Sequence, residues 1–172
     1  IQGYVHSHAR KMSVTDLQKH DVTVFNGDVL KGHWNILFFG FTHCSEICPV
    51  TMSMLAQAKK LAEEQKLDFP KVYLVSVDQE RDDLKSLGKF VGGFDKSFTG
   101  VTGDPKLIKA LSLQMSVVYM PAEQAKDVEN HQIDHSAALL LLNPDGSLVA
   151  FLNPPHSPEK IFKDIRRVIE AA

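Results

Sequence analysis

A strand-to-helix junction that carries both cysteines constrains the fold of this chain more than any other feature. Residues 34–39 are almost continuously apolar, which is typical of a strand buried on both faces of a parallel sheet. Downstream, leucine and alanine recur at helical spacing opposite lysines and glutamates, and Pro49 suits the first turn of that helix. The pattern therefore predicts an α/β protein with Cys44 and Cys48 at the carboxyl end of a central strand.

The remaining segments alternate in a way that fits a single sheet covered on both faces. We predict hairpin strands at 11–14 and 22–25 around the turn 18–21, a strand at 72–77, a short helix at 84–90, a helix opened by Asp104-Pro105, a strand at 137–142, a turn at 143–146, a return strand at 148–151 and a last helix opened by Ser157-Pro158. This order predicts a thioredoxin-like three-layer α/β sandwich, with a mixed central sheet, helices on both faces and an N-terminal β-hairpin. Residues 1–10 are expected to be a loose leader and residues 11–172 a single domain.

Composition excludes several classes of function. The chain has 172 residues, 44% of them hydrophobic and 23% charged, with a formal net charge of −2. That charge gives no reason to expect nucleic acid or an anionic membrane surface as a partner. Its apolar stretches are far shorter than the roughly 20 residues that span a bilayer. Because the chain starts at Ile1 rather than Met, we expect that a leader or anchor was removed or that the chain was trimmed.

The two cysteines form a C-x3-C pair, and their chemistry is restricted. A disulfide between Cys44 and Cys48 would close a very short loop and stabilise the fold little. The start of a helix favours thiolates, which are both the nucleophiles of disulfide exchange and soft ligands for copper or zinc. The spacing itself leaves exchange and metal binding both open, although one residue more than in C-x2-C suits two sulfurs on one ion.

A metal held by two sulfurs requires further ligands, and His135 is the best candidate. It directly precedes the predicted strand 137–142, so it reaches the rim that carries the cysteines if that strand neighbours strand 34–39. Two thiolates and an imidazole suit Cu(I), with room for a fourth ligand to Cu(II). Asp134 is expected to orient a ring nitrogen of His135.

Four ordered motifs resemble those of the SCO/SenC copper proteins, over nearly all of the chain from about Lys11. They are the run 39–49 (F-G-F-T-H-C-S-E-I-C-P), the run 75–82 (V-S-V-D-Q-E-R-D), the run 100–103 (G-V-T-G), and D-H-S at 134–136 followed by an apolar strand and P-D-G at 144–146. Any one of these motifs is weak alone, but their joint occurrence in order is specific. Two departures stand out, because Ser45 and Gln79 occupy positions where many members have proline.

The resemblance implies a copper metallochaperone that is not an enzyme in the turnover sense. Cys44, Cys48 and His135 would bind Cu(I) or Cu(II), and Asp78 would shape the site or a partner surface. The family implies the copper-binding subunit of cytochrome c oxidase as the recipient and possible delivery from another copper chaperone. It also implies a place on the periplasmic side of the bacterial inner membrane, or in the mitochondrial intermembrane space, with membrane contact only through an N-terminal anchor absent from this chain.

The alternative from another class is a thiol-disulfide oxidoreductase that cycles Cys44 and Cys48 as a redox pair to reduce a partner's cysteines. One feature disfavours a pure oxidoreductase: the positions before Ala137 hold His135 and Ser136, where thioredoxins place a cis-proline. Two weaker alternatives are a peroxidase, whose P-x3-T-x2-C pattern is absent before Cys44, and an interaction module with an inert disulfide.

Several other residues admit both a structural and a functional interpretation. His43 would tune Cys44 or be a solvated loop residue, and His131 would be a surface residue or an additional Cu(II) ligand. Met52 and Met54 are expected to fill the core rather than bind Cu(I). The acidic cluster 80–83 is interpreted as a solvated helix start.

Overall fold

The computed structural model describes residues 3–43, 47–117 and 138–172, and these form one mixed eight-stranded sheet with helices on both faces. The strands are β1 Gly3–Arg10, β2 Leu17–Lys19, β3 Val24–Phe25, β4 Asn35–Gly40, β5 Lys71–Ser76, β6 Thr99–Thr102, β7 Leu139–Leu142 and β8 Leu148–Leu152. The helices are α1 Ile47–Glu64, α2 Leu84–Gly92, α3 Pro105–Gln114 and α4 Pro158–Ala171, with a short 3-10 helix at Gly27–Leu30. The layered α/β architecture predicted from the sequence is confirmed.

The order of strands across the sheet is β1-β8-β7-β4-β5-β6-β2-β3. Strands β4, β5 and β6 run parallel to one another, and β7 lies antiparallel on the other side of β4. A parallel pair requires a crossover connection, which α1 supplies between β4 and β5 and α2 supplies between β5 and β6. Strand β4 is therefore central, as its continuous apolar run predicts.

Two apolar cores lie on opposite faces of the sheet, and alternate residues of β4 point into each. Ile36 and Phe38 pack into the first core with α1, α2 and α4, whereas Leu37 and Phe39 pack into the second with α3 and the hairpin. This alternation explains why the strand lacks a polar face. The sequence also located two helix starts correctly, because Asp104 and Ser157 cap α3 and α4 with their side chains.

The expectation of a loose leader is wrong for residues 3–10, which form β1 and pair antiparallel with β8. The strand lies at the edge of the sheet and is mostly exposed, with Tyr4 55% and Val5 45% exposed, so no hydrophobic alternation marks it in the sequence. Ring contacts from Tyr4 and His6 to Phe151 accompany the backbone pairing.

Two further differences concern short strands on the other side of the sheet. The N-terminal hairpin exists, but its first strand is β2 rather than residues 11–14, because the side chain of Gln114 binds both the N–H and the C=O of Ser13. Strand β6 was not predicted; it contains Gly100 and two threonines, and its flanks gave no apolar run. No helix in the parts of the chain that the structure describes is both long and apolar enough to cross a membrane.

Candidate metal centre

Cys48 lies in the first turn of α1, and its side chain is buried at the end of β4. The residue is 3% exposed and packs in the core shared by the sheet and α1. Its sulfur lies so close to Gly40 that a Cβ at that position would be 2.8 Å from Sγ. The absence of a side chain at Gly40 therefore creates the space that the sulfur fills.

The carboxyl ends of β4 and β5 lie side by side at this edge. Gly40 and Ser76 are partners in the parallel register, and the N–H of Val77 donates to the carbonyl of Gly40 at 2.9 Å. Strand β7 is antiparallel to β4, with Leu37 opposite Leu140, so the chain enters β7 at the same edge. The condition on which the sequence argument for His135 depended, that the strand after it neighbours β4, is thus confirmed.

Asp82 is a buried carboxylate that joins the loop after β5 to the loop after β4. It is 1% exposed, and its Oδ2 accepts hydrogen bonds from the N–H of Thr42 at 3.0 Å and from the hydroxyl of Ser76 at 2.7 Å. The hydroxyl of Thr42 donates to the other oxygen, Oδ1. Several donors of this kind are what a buried carboxylate requires to offset its desolvation.

Asp78 lies beside Asp82 and is held differently. It is 6% exposed, its Oδ2 accepts from Nε of Arg81 at 2.6 Å, and its N–H donates to the hydroxyl of Ser76 at 3.1 Å. The side-chain amide of Gln79 donates to the carbonyl of Ser76 at 2.8 Å. Gln79 therefore ties this loop to the end of β5 by a side-chain hydrogen bond.

His43 completes a group of three potential ligands with these two acids. Its ligand atom and one carboxylate oxygen from each of Asp78 and Asp82 all lie within 4.8 Å of one another. The imidazole is 51% exposed, and its Nδ1 lies 3.6 Å from Oδ1 of Asp82 and 3.2 Å from Oγ1 of Thr42. The structure thus places His43 and Asp78 near each other at the edge that carries Cys48.

The other predicted site residues lie outside the described residues. These are Cys44, Asp134 and His135, together with His131. Their convergence with Cys48 on one ion is therefore still a prediction, as are the roles assigned to Asp78 and His43. Met52 is fully buried and Met54 packs against the same core, as expected for methionines with a structural role.

The interpretation of residues 80–83 as a solvated helix start is wrong for Asp82 and correct for Asp83. Asp83 is exposed and caps α2, and its hydrogen bond from the N–H of Ser86 holds the pKa of Asp83 below its ordinary value. Asp82 is buried and directed toward Thr42 instead. A signal for it was present, because both Ser76 and Asp82 belong to the run 75–82 that resembles the family's.

Comparison with known proteins identifies the class through the fold. The thioredoxin domain of a thiol-disulfide oxidoreductase from Bacteroides vulgatus superposes with a TM-score of 0.61 at 14% identity, covering 95% of this chain and 99% of that one. The copper-bound crystal structure of Arabidopsis thaliana ScoI superposes with a TM-score of 0.81 at 30% identity, covering 94% of this chain and all of that one. The protein therefore has a thioredoxin-like α/β fold.

The family follows from the sequence. The SCO1/SenC family model matches residues 7–170, so the chain belongs to the SCO1/SenC family. The mitochondrial SCO2 homolog of Mus musculus is 35% identical over 142 residues, which cover 82% of this chain and 55% of that protein. The chain spans about half the length of the mitochondrial SCO2 homologs that it matches.

Proposed function

We propose that this domain is a copper metallochaperone that binds the ion through Cys44, Cys48 and His135. The observation that supports this most strongly is the arrangement of the sheet edge. Cys48 is buried at the end of β4, and the chain enters β7 at that edge four residues after His135. The Arabidopsis ScoI structure, which aligns over nearly the whole chain, carries copper. Two thiolates and one imidazole suit Cu(I) and leave a position open for a further ligand to Cu(II).

Titration of the reduced protein with Cu(I), in competition with a colorimetric chelator, tests this function. We expect one ion per chain, and loss of tight binding in Cys44→Ser, Cys48→Ser and His135→Ala. His33→Ala is the matched control, because His33 precedes the opposite end of β4 and its loss should leave the affinity unchanged. An unaltered affinity in His135→Ala would refute the three-ligand site.

We further propose that the copper is delivered to the copper-binding subunit of cytochrome c oxidase, outside the cytoplasm. This follows from membership of the SCO1/SenC family, and a relative from Mus musculus is named as mitochondrial. The domain would be tethered by an N-terminal anchor on the periplasmic side of the bacterial inner membrane or in the intermembrane space. The precursor sequence tests the location: one apolar helix upstream of Ile1 is expected, and an uninterrupted polar extension would contradict it.

The second candidate function is reduction of a partner's disulfide by the two cysteines. It is favoured by the position of Cys48 in the first turn of α1, where free backbone N–H groups favour a thiolate. A reductase assay on His135→Ala separates the two functions. Full reductase activity together with lost copper binding would assign the cysteines to thiol exchange. Loss of both would mean that His135 is required for copper binding and for reduction alike.

A further inference from the structure

The side chain of Asp82 makes most of its described polar contacts with the residues that precede Cys44. Thr42 contributes its N–H and its hydroxyl, and the imidazole of His43 lies 3.6 Å away. Thr42 lies 40 positions before Asp82 in the sequence, and His43 follows it immediately before Cys44. The remaining partner, Ser76, is the last residue of β5. Asp82 therefore ties the start of the cysteine segment to the end of the neighbouring strand.

The other end of that segment is fixed by a different contact. Cys48 is buried against Gly40 and the core face of α1. The residues that precede Cys44 are thus bound by a carboxylate, and Cys48 is held by apolar packing. Ligand geometry in a metal site depends on such supporting contacts, and their loss commonly weakens metal affinity by roughly 10- to 100-fold.

Folding of the adjacent helix does not account for Asp82. Asp83 caps α2 by accepting a hydrogen bond from the N–H of Ser86, so the first turn of the helix has its cap without Asp82. A buried charge is in general a poor source of stability, because well-packed apolar groups of similar volume often stabilise as much or more. A carboxylate that joins Thr42, two residues before Cys44, to Ser76 at the end of β5 is better explained by the geometry that it imposes there.

We propose that Asp82 is a positioning residue for the cysteine pair, acting through Thr42 and His43. The inference rests on the proposed function of that pair and adds a residue to it. Because both of its oxygens already accept hydrogen bonds from Thr42 and Ser76, Asp82 acts as a support rather than as a ligand. Its charge and its hydrogen bonds fix Thr42 and His43, the residues that lead into Cys44.

The experiment compares Asp82→Asn with Thr42→Val and Thr42→Ser in the reduced protein. Asn keeps the shape of the carboxylate without its charge, Val removes the Thr42 hydroxyl, and Ser restores it. Asp95→Asn is the matched control, because it removes a carboxylate that binds Lys59, eleven residues beyond Cys48 and about 16 Å along α1. Two quantities are measured: the Cu(I) dissociation constant, and the rate at which iodoacetamide alkylates each thiol.

We expect the Cu(I) dissociation constant to rise at least about tenfold in Asp82→Asn, and less in Thr42→Val. The ratio of the two alkylation rates should shift in the same two variants. Thr42→Ser and Asp95→Asn should match the wild type in both measurements, even where Asp95→Asn is less stable. A purely structural role for Asp82 would lower stability and leave both measurements unchanged.

The inference is overturned if folded Asp82→Asn and Thr42→Val match the wild type in both affinity and alkylation. Should Asp82→Asn fail to fold, Thr42→Val decides alone, since it leaves every backbone group in place. If the wild type binds no copper, the proposed function fails, and the alkylation ratio still decides whether Asp82 positions the thiols. The two failures are thereby distinguished.

Discussion

The sulfur of Cys48 occupies the space that a side chain at Gly40 would fill. A Cβ at Gly40 would lie 2.8 Å from Sγ of Cys48 and 3.1 Å from Cδ1 of Leu74. The leucine belongs to β5 and is fully buried, so it has little freedom to move aside. The thiol is the more mobile neighbour, because rotation about a single bond carries Sγ away from Gly40.

Gly40→Ala should therefore displace the thiol and weaken copper binding. We expect a loss of about 1–3 kcal/mol in the free energy of unfolding, as is usual for overpacking a core. The Cu(I) dissociation constant should rise at the same time. Gly92→Ala is the control, because a Cβ at this helical glycine meets nothing within 4 Å and alanine favours the helix. Urea denaturation and chelator competition measure the two effects, and a Gly40→Ala protein with wild-type affinity would contradict the prediction.

The ion pair between Lys59 and Asp95 should contribute stability that disappears in acid. Nζ of Lys59 lies 2.9 Å from Oδ1 of Asp95, and both side chains are 22% exposed. Desolvation acts to raise the pKa of Asp95, but hydrogen bonds from Lys59 and Ser97 outweigh it, so this pKa lies below its ordinary value. A carboxyl group with a lowered folded-state pKa stabilises the fold above its unfolded pKa, and this contribution is lost as pH falls through the folded value.

Asp95→Asn should accordingly lower the free energy of unfolding by about 1 kcal/mol at pH 7 and converge with the wild type in strong acid. Glu63→Gln is the control, because Glu63 also contacts Lys59, at 3.7 Å, but is 60% exposed. Its effect should stay below about 0.5 kcal/mol at every pH. Denaturant titrations at several pH values supply the measurement. A difference between Asp95→Asn and wild type that is constant down to the lowest pH would refute the assignment.

Asn35 should tolerate loss of its side chain better than conversion to a charge. Its Nδ2 donates to the carbonyls of Leu30 and His33 at 2.8 and 2.9 Å, and the residue is fully buried at the start of β4. Asn35→Ala removes both hydrogen bonds and should cost about 1–3 kcal/mol. Asn35→Asp places carboxylate oxygens against these two carbonyls, and an ionised carboxylate has no proton to donate to either. A protonated carboxyl group can donate, so the substitution should cost more stability at pH 7 than at pH 3. Equal losses at the two pH values would contradict this account.

The elements that the sequence predicted well are those whose burial is periodic. The side chains of residues 34–39 pack alternately into the cores on the two faces of the sheet, and the helix after Pro49 has one buried face. Their hydrophobic patterns in the sequence follow from these positions. Strand β1 escaped prediction because its side chains are exposed and its pairing with β8 uses backbone groups, which every sequence has. The start of β2 was mispredicted because the side chain of Gln114 binds the backbone of Ser13 from 101 positions away, and local patterns do not contain such contacts.

The candidate site likewise contains residues that local sequence patterns locate and residues that only tertiary contacts locate. Cys48 and its position in the first turn of α1 were predictable, since residue type and spacing locate a thiol at a strand-to-helix turn. The burial of Asp82 did not follow from local patterns, because two of its three hydrogen-bond donors are on Thr42, forty residues away, and an acid among acids resembles a solvated helix start. Only the resemblance of the run 75–82 to that of the family pointed to it. Burial of a charge depends on tertiary contacts between residues that are distant in the sequence, and local patterns do not reveal such contacts.

Tyr73 should make the fold sensitive to alkaline pH. It is 3% exposed in β5, its ring centroid lies 5.0 Å from that of Phe25, and burial raises the pKa of Tyr73 to about 12. A phenol whose folded pKa is raised contributes stability that is complete below its unfolded pKa and is lost as pH rises through the folded value.

Between about pH 10 and 12, the wild type should therefore lose roughly 3 kcal/mol that Tyr73→Phe does not lose. Phe keeps the ring in the core and removes the ionisable hydroxyl, so the difference between the two proteins isolates this one group. Free energies of unfolding at pH 9, 10 and 11 supply the comparison, with the tyrosinate absorbance near 295 nm following ionisation. The wild type should become less stable relative to Tyr73→Phe between pH 10 and pH 11. Parallel pH profiles for the two proteins would show that Tyr73 ionises as readily when folded as when unfolded, and would contradict its burial as the cause.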